Sequence, residues 1–188
     1  MFKIDEVLWC EFPWLDLLNS DWHDHRGSHP SVDRLEIALW RRHFFSRWRY
    51  TIRGIPHKKL LISLYELRTI LRSIAEKYAQ HIKPSAADWH HINRYLVRAP
   101  YIRRIKTIRT KPNLFYVPRT QKLDALLGDI AGSFAETIVQ GDPDRIKICQ
   151  NKNCRWVFND HSKNKSRKWC DDTCGNLMKI HRYRKKGR

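Results

Sequence analysis

Acidic residues are scarce in this 188-residue chain: 19 Asp and Glu stand against 37 Lys and Arg, a formal net charge of +18. That imbalance disfavours a basic or neutral partner and points to a polyanion, nucleic acid before an anionic membrane surface. Long apolar runs are lacking too, and none approaches the ~18 residues needed to span a bilayer. The opening stretch MFKIDEVLWCEFPWLDLL has one Lys and an apolar run broken by Glu11 and Pro13, which does not read as a signal peptide. A cytoplasmic location is expected. Internal repeats and low-complexity tracts are absent, whereas 41% hydrophobic residues with 12% aromatics suffice for a real core.

The pattern predicts a mainly α protein with a small β element (α+β): a helical domain over 1–143, then a small module over 144–188. Trp14, Leu15, Leu17 and Leu18 suggest a short helix, and Asp21 to Ser31 reads as a polar loop. An amphipathic helix is expected from Val32 to Trp48, ended by Gly54 and Pro56. Leu60, Leu64, Leu67, Leu71, Ile74 and Tyr78 recur at helical spacing. Ser85 with Asp88 marks another helix start, running to about Val97. Tyr101 to Pro118 suits two short strands, and Gln121 to Gln140 a last long helix stopped by Gly141 and Pro143.

Charge is uneven. Residues 145–188 hold 14 Lys and Arg against 3 Asp and Glu, and residues 1–144 hold 23 against 16. The basic tail also contains four of the five cysteines, Cys149, Cys154, Cys170 and Cys174. Two close pairs across a hairpin-sized spacer supply two thiolates each from tight turns, as a tetrahedral zinc needs. Neither pair has the two-residue spacing of dithiol redox motifs, and nothing else supports an iron–sulfur cluster. The spacer reads as a hairpin, Arg155 to Phe158 returning through Arg167 to Trp169. The second pair opens a helix from Leu177 to Lys186, giving a treble-clef-like order. So polar a unit lacks a core of its own, and one structural Zn²⁺ is expected to supply its folding energy.

The run from Cys149 to Arg188 resembles the CGNR zinc-finger family: Cys174-Gly175-Asn176 matches three of its four signature residues, with Leu177 in place of Arg. Trp156, Phe158, Asp160, Ser162, Asn164 and Trp169-Cys170 also sit where that family's pattern puts them. Upstream, Trp14-Leu15-Asp16-Leu17-Leu18-Asn19-Ser20 and the helix leading into Arg145 resemble the ABATE domain. The combination implies a bacterial stress-response transcription regulator whose N-terminal domain senses a small-molecule ligand or a partner, or holds a dimer.

At about 100° per residue, Cys174, Leu177, His181 and Arg184 share one side of the last helix. Lys179, Arg182 and Lys186 project from the other, with Asn176 and Tyr183 at the edge. These five, together with Lys163, Lys165, Arg167 and Lys168 of the hairpin, are the candidate nucleic-acid contacts, duplex DNA first and RNA as the rival. His181 is expected to pack beside the ligands. Trp156 and Trp169 are expected to form a miniature core rather than stack on bases, and Cys10 to be a small buried hydrophobe. A second metal in the loop of His23, His25 and His29 is disfavoured, and adjacent His90 and His91 read as surface residues. A nuclease built on His161, Asn164 and His181 lacks nearby acids, so no enzymatic activity is expected. A zinc-stabilised protein adaptor is the remaining rival.

Overall fold

Leu60, Leu64, Leu67, Leu71 and Ile74 fall on one helical face. The computed structural model, which describes residues 10–119 and 122–186, buries all five on a helix spanning His57–Ala79. In chain order the elements are α1 (Pro13–Leu18), β1 (Asp21–Trp22), β2 (Val32–Asp33), α2 (Ala38–Arg47), α3 (His57–Ala79) and α4 (Ala86–Arg98). There follow β3 (Tyr101–Ile108), β4 (Lys111–Pro118), α5 (Lys122–Val139), β5 (Ile146–Ile148), β6 (Val157–Asn159) and α6 (Asp172–Lys186). Helices α1, α3 and α5 meet around Trp14, Leu17, Phe44, Leu64, Ile130 and Phe134, all fully buried. Trp14 meets Phe134 edge-on at 5.0 Å and donates from Nε1 to Thr137 Oγ1 at 3.0 Å. Even an indole this deep satisfies its polar atom.

The expected start at Ser85 is a capping box, with Asp88 accepting from the Ser85 amide at 2.6 Å and from Lys77 Nζ at 2.5 Å. Bonding from Lys77, then from Ser85, holds the Asp88 carboxyl below its ordinary value. Among the described residues three sheets form, each an antiparallel pair: β1 with β2, β3 with β4 and β5 with β6. Among the described residues no helix is long and apolar enough to cross a membrane.

Three expectations change. The loop after Ser20 is pinned at its ends, Asp21 pairing with Asp33 and Trp22 with Val32. The next helix begins at Ala38 rather than Val32, because the Asp33 carboxylate caps a 3-10 turn at Arg34–Glu36 and binds Arg68 at 2.9 and 2.5 Å. The strand opposite β6 is β5, upstream of the first cysteine, rather than Arg167 to Trp169. The expected helix start at Gln121 lies outside the described residues; α5 is described from Lys122.

The small C-terminal unit also shares the main core. Ile146 and Val157 are fully buried in it. Asn19 grips Val157 at both ends of its peptide, donating Nδ2 to its carbonyl and accepting its amide on Oδ1, each at 2.8 Å. Arg72 donates to the Arg155 carbonyl at 2.8 Å. Contrary to the expectation of a unit folded by metal alone, β5 and β6 have an apolar anchor because their inward residues complete the helical core.

Candidate metal centre and nucleic-acid interface

Cys149 leaves β5 and donates its amide to Trp156 O at 2.9 Å, which folds the intervening residues into a knuckle. Cys154 N donates to Asn151 O at 2.9 Å and Asn153 N to the Asn151 side chain at 3.2 Å. Arg155 then turns the chain into β6 with a left-handed φ of 55°. Cys170 precedes α6, and Cys174 lies in its first turn, where the Cys174 amide donates to Asp171 Oδ1 at 2.8 Å. One ligand of the second pair, rather than both, is therefore helical. Between the pairs, Asp160 is fully buried and accepts from the amides of Ser162 and Arg167, both at 2.9 Å. Burial alone would push its carboxyl up, but those bonds outweigh it and leave the group below its usual value.

The four cysteines are free thiols whose sulfurs all lie within 4.8 Å of one another. Cys154 and Cys170 are 3.6 Å apart, Cys170 and Cys174 3.8 Å. A tetrahedron with zinc–sulfur bonds of about 2.3 Å has edges of about 3.8 Å, so the donor set and spacing fit zinc. Four sulfurs this close cannot all be thiolates without a cation among them. The chain thus carries a structural zinc site.

Polar groups around the centre come both from the finger and from the N-terminal domain. Asn151 Nδ2 donates to His25 O at 2.7 Å and lies 3.5 Å from Cys174 Sγ. Arg34, 7% exposed, has its guanidinium 5.7 Å from the ring centroids of both Trp22 and Trp156. Burial lowers its pKa to about 10, so it stays charged at neutral pH. Arg34 shares a cleft of about 280 Å³ with Trp22, His23, His25, Cys154, Cys170 and Cys174. This sets a cation beside a centre that carries about −2 when four thiolates hold Zn²⁺. Sequence reading missed Arg34, which lies over 100 residues from the first ligand. Asn151 had a readable signal, an Asx-turn position inside the first cysteine pair.

Phe158, Trp156 and Trp169 pack with the cysteines, as expected of a miniature core. Cys10 is half-buried and packs against the main core; burial pushes its thiol up. Leu177 and Met178 of α6 are half-buried, but Lys179 to Arg184 are all exposed. His181 is therefore not packed beside the ligands. The module is too small to cover more than the first two turns of α6, so the predicted inner side runs out before position 181.

Asn176, Lys179 and Tyr183 are exposed, as are Lys163 and Lys168. Arg182 is exposed but lies over Trp169 at 5.4 Å. Lys165 pairs with Asp142 at 2.5 Å, and Arg167 donates to Trp169 O at 2.8 Å and to Cys170 O. The last two are thereby committed to internal contacts. Lys186 ends α6, and its side chain lies outside the described residues. His161 bonds Glu11 at 2.8 Å, and Asp24 accepts the amides of Arg26, Ser28 and His29 within its own turn. Among the described residues, the four cysteines form the one cluster of His, Cys, Asp or Glu able to hold a metal.

Comparison with protein families gives two matches. The CGNR zinc finger matches residues 145–187, and ABATE, described as "Putative stress-induced transcription regulator", matches residues 11–141. No curated protein matches the chain.

Proposed function

Because the chain belongs to the ABATE family and carries a CGNR zinc finger, we propose that it is a transcription regulator that binds duplex DNA through α6, acting in the bacterial cytoplasm and without catalysis. The observation that carries this reading is the course of α6, which starts inside the zinc site and runs on with each of Lys179 to Arg184 exposed. A helix about 10–12 Å across fits a major groove about 12 Å wide. Metal at one end fixes its direction and leaves the basic end for phosphates. Asn176, exposed at the start of the second turn, suits an adenine edge. Leu177, half-buried where the family's signature has Arg, packs against the module and makes no such contact. The knuckle, strand pair and helix are read as a treble-clef-like order.

The N-terminal domain is the sensing part. The cleft between Arg34 and the zinc centre supports this, since a small molecule held there would touch both units. Four free thiols, three of them buried, suit a reducing compartment.

The test is binding of a labelled duplex, with a single-stranded RNA of the same sequence in parallel. The triple variant Lys179→Ala, Arg182→Ala, Lys186→Ala is expected to keep its zinc and to flatten the slope of log affinity against log salt by about 2.7, at about 0.9 per phosphate contact. Unchanged affinity and slope would move the interface off α6. A preference for the RNA would replace the substrate.

A further inference from the structure

Residues 101–119 contain six cations and no acid, and so account for nearly all of the net +7 of residues 1–144. They form the β3–β4 ribbon, eight residues paired with eight from Tyr101↔Pro118 to Ile108↔Lys111. At about 3.4 Å per residue it is roughly 27 Å long. Its root is fixed: Tyr101 Oη donates to Asp129 at 3.0 Å, and the Arg119 amide donates to Pro100 O at 2.8 Å. Beyond the root it stands clear of the body. Between residues 101 and 117 only Ile102, Phe115 and Val117 are even half-buried, while Ile105 is 74% exposed and Leu114 and Tyr116 more than half.

A two-stranded ribbon with no covered face is marginal in water and leaves apolar side chains wet. Something of complementary chemistry is needed to cover it, and charge decides what. Alternation along β3 puts Arg103 on one face and Arg104 and Lys106 on the other, with Arg109 at the tip in a left-handed conformation (φ 50°) and Lys111 next to it. Neither face is free of cations. A second copy would set six cations against six, whereas a polyanion neutralises them.

We propose that the β3–β4 ribbon is a second DNA-binding element, lying in the major groove of the duplex with its cations on flanking phosphates and Ile105, Leu114 and Tyr116 against the groove wall. This rests on the reading of the chain as a duplex-DNA binder. A two-stranded ribbon is an element that the major groove admits. The ribbon and α6 are separate surfaces, and each contributes its own share of salt dependence.

The experiment compares zinc-loaded full-length protein with the variant Arg103→Ser, Arg104→Ser, Lys106→Ser, Lys111→Ser on a mixed-sequence duplex between about 50 and 200 mM salt. All four side chains are exposed, so zinc content and thermal midpoint are expected to hold. The salt slope is expected to flatten by about 3.6, with affinity at about 100 mM falling more than tenfold. A second variant, Ile105→Ser with Leu114→Ser, is expected to weaken binding and leave the slope unchanged. A ribbon variant with wild-type affinity and slope, while the α6 triple variant loses both, overturns the ribbon and leaves the DNA reading standing. A wild-type dimer that becomes monomeric in the ribbon variants without loss of DNA affinity overturns it as well, in favour of a second copy. No duplex binding by the wild type at the lowest salt overturns both.

Discussion

Cys174→Ser is expected to abolish stoichiometric zinc binding and to unravel α6 together with the loops that carry the other ligands. The side chain is buried at the start of α6, with its sulfur 3.8 Å from Cys170 and 3.5 Å from Asn151 Nδ2. A hydroxyl is shorter and remains protonated, so one of four zinc bonds is lost. Around the centre the apolar packing is Phe158, Trp156 and Trp169 with the cysteines themselves, too little to hold the module closed. A structural zinc contributes about 10–16 kcal/mol in small metal-folded units. The loss stops at β6, because Ile146 and Val157 belong to the helical core. Hydrogen exchange is expected to show α6 and the knuckle open while α3 and α5 keep their protection. Full zinc content with a protected α6 would remove Cys174 from the ligand set.

The second large effect is expected at Asn19→Leu. Asn19 is buried and makes both bonds to the Val157 peptide, at 2.8 Å each. Leucine is close in volume but has no polar atoms. It strands a buried N–H and a buried C=O at the junction between the helical core and β6, and each orphaned group costs about 1–3 kcal/mol. The expected loss is about 2–6 kcal/mol, which for a chain of this size lowers the thermal midpoint by roughly 5–25 °C. Zinc content is expected to survive, since Asn19 touches no ligand sulfur of the site. A change within about 0.5 kcal/mol would mean that the junction does not depend on the Asn19 bonds.

The residues behind these two effects differ in how far the sequence alone exposes them. Helix α3 was legible because a 23-residue amphipathic stripe leaves no competing period, and α4 because Ser85 and Asp88 satisfy each other locally. The four cysteines were legible because ligand spacing is a local property. Strand β5 was not. Ile146-Lys147-Ile148 is too short to show a period, and its pairing with β6 is set by burial against α3, which lies far off in sequence. Arg167 to Trp169 looked like the returning strand, but the Arg167 amide is taken by Asp160 and its side chain by Trp169 O and Cys170 O. His181 was misplaced because the helical wheel gives direction and says nothing of how far the neighbouring module extends. The basic ribbon was hidden by summation, its six cations being averaged with the acids of the surrounding helices.

The central claim is that zinc holds α6 in the form that binds DNA. Its direct test is to strip the metal from the full-length protein, return zinc stepwise, and follow binding of a labelled duplex and bound zinc in the same samples. Duplex affinity is expected to be weak without metal, to rise in proportion to zinc up to one ion per chain, and to show its steep salt dependence in the loaded form. Equal affinity and equal salt slope with and without zinc would contradict the account.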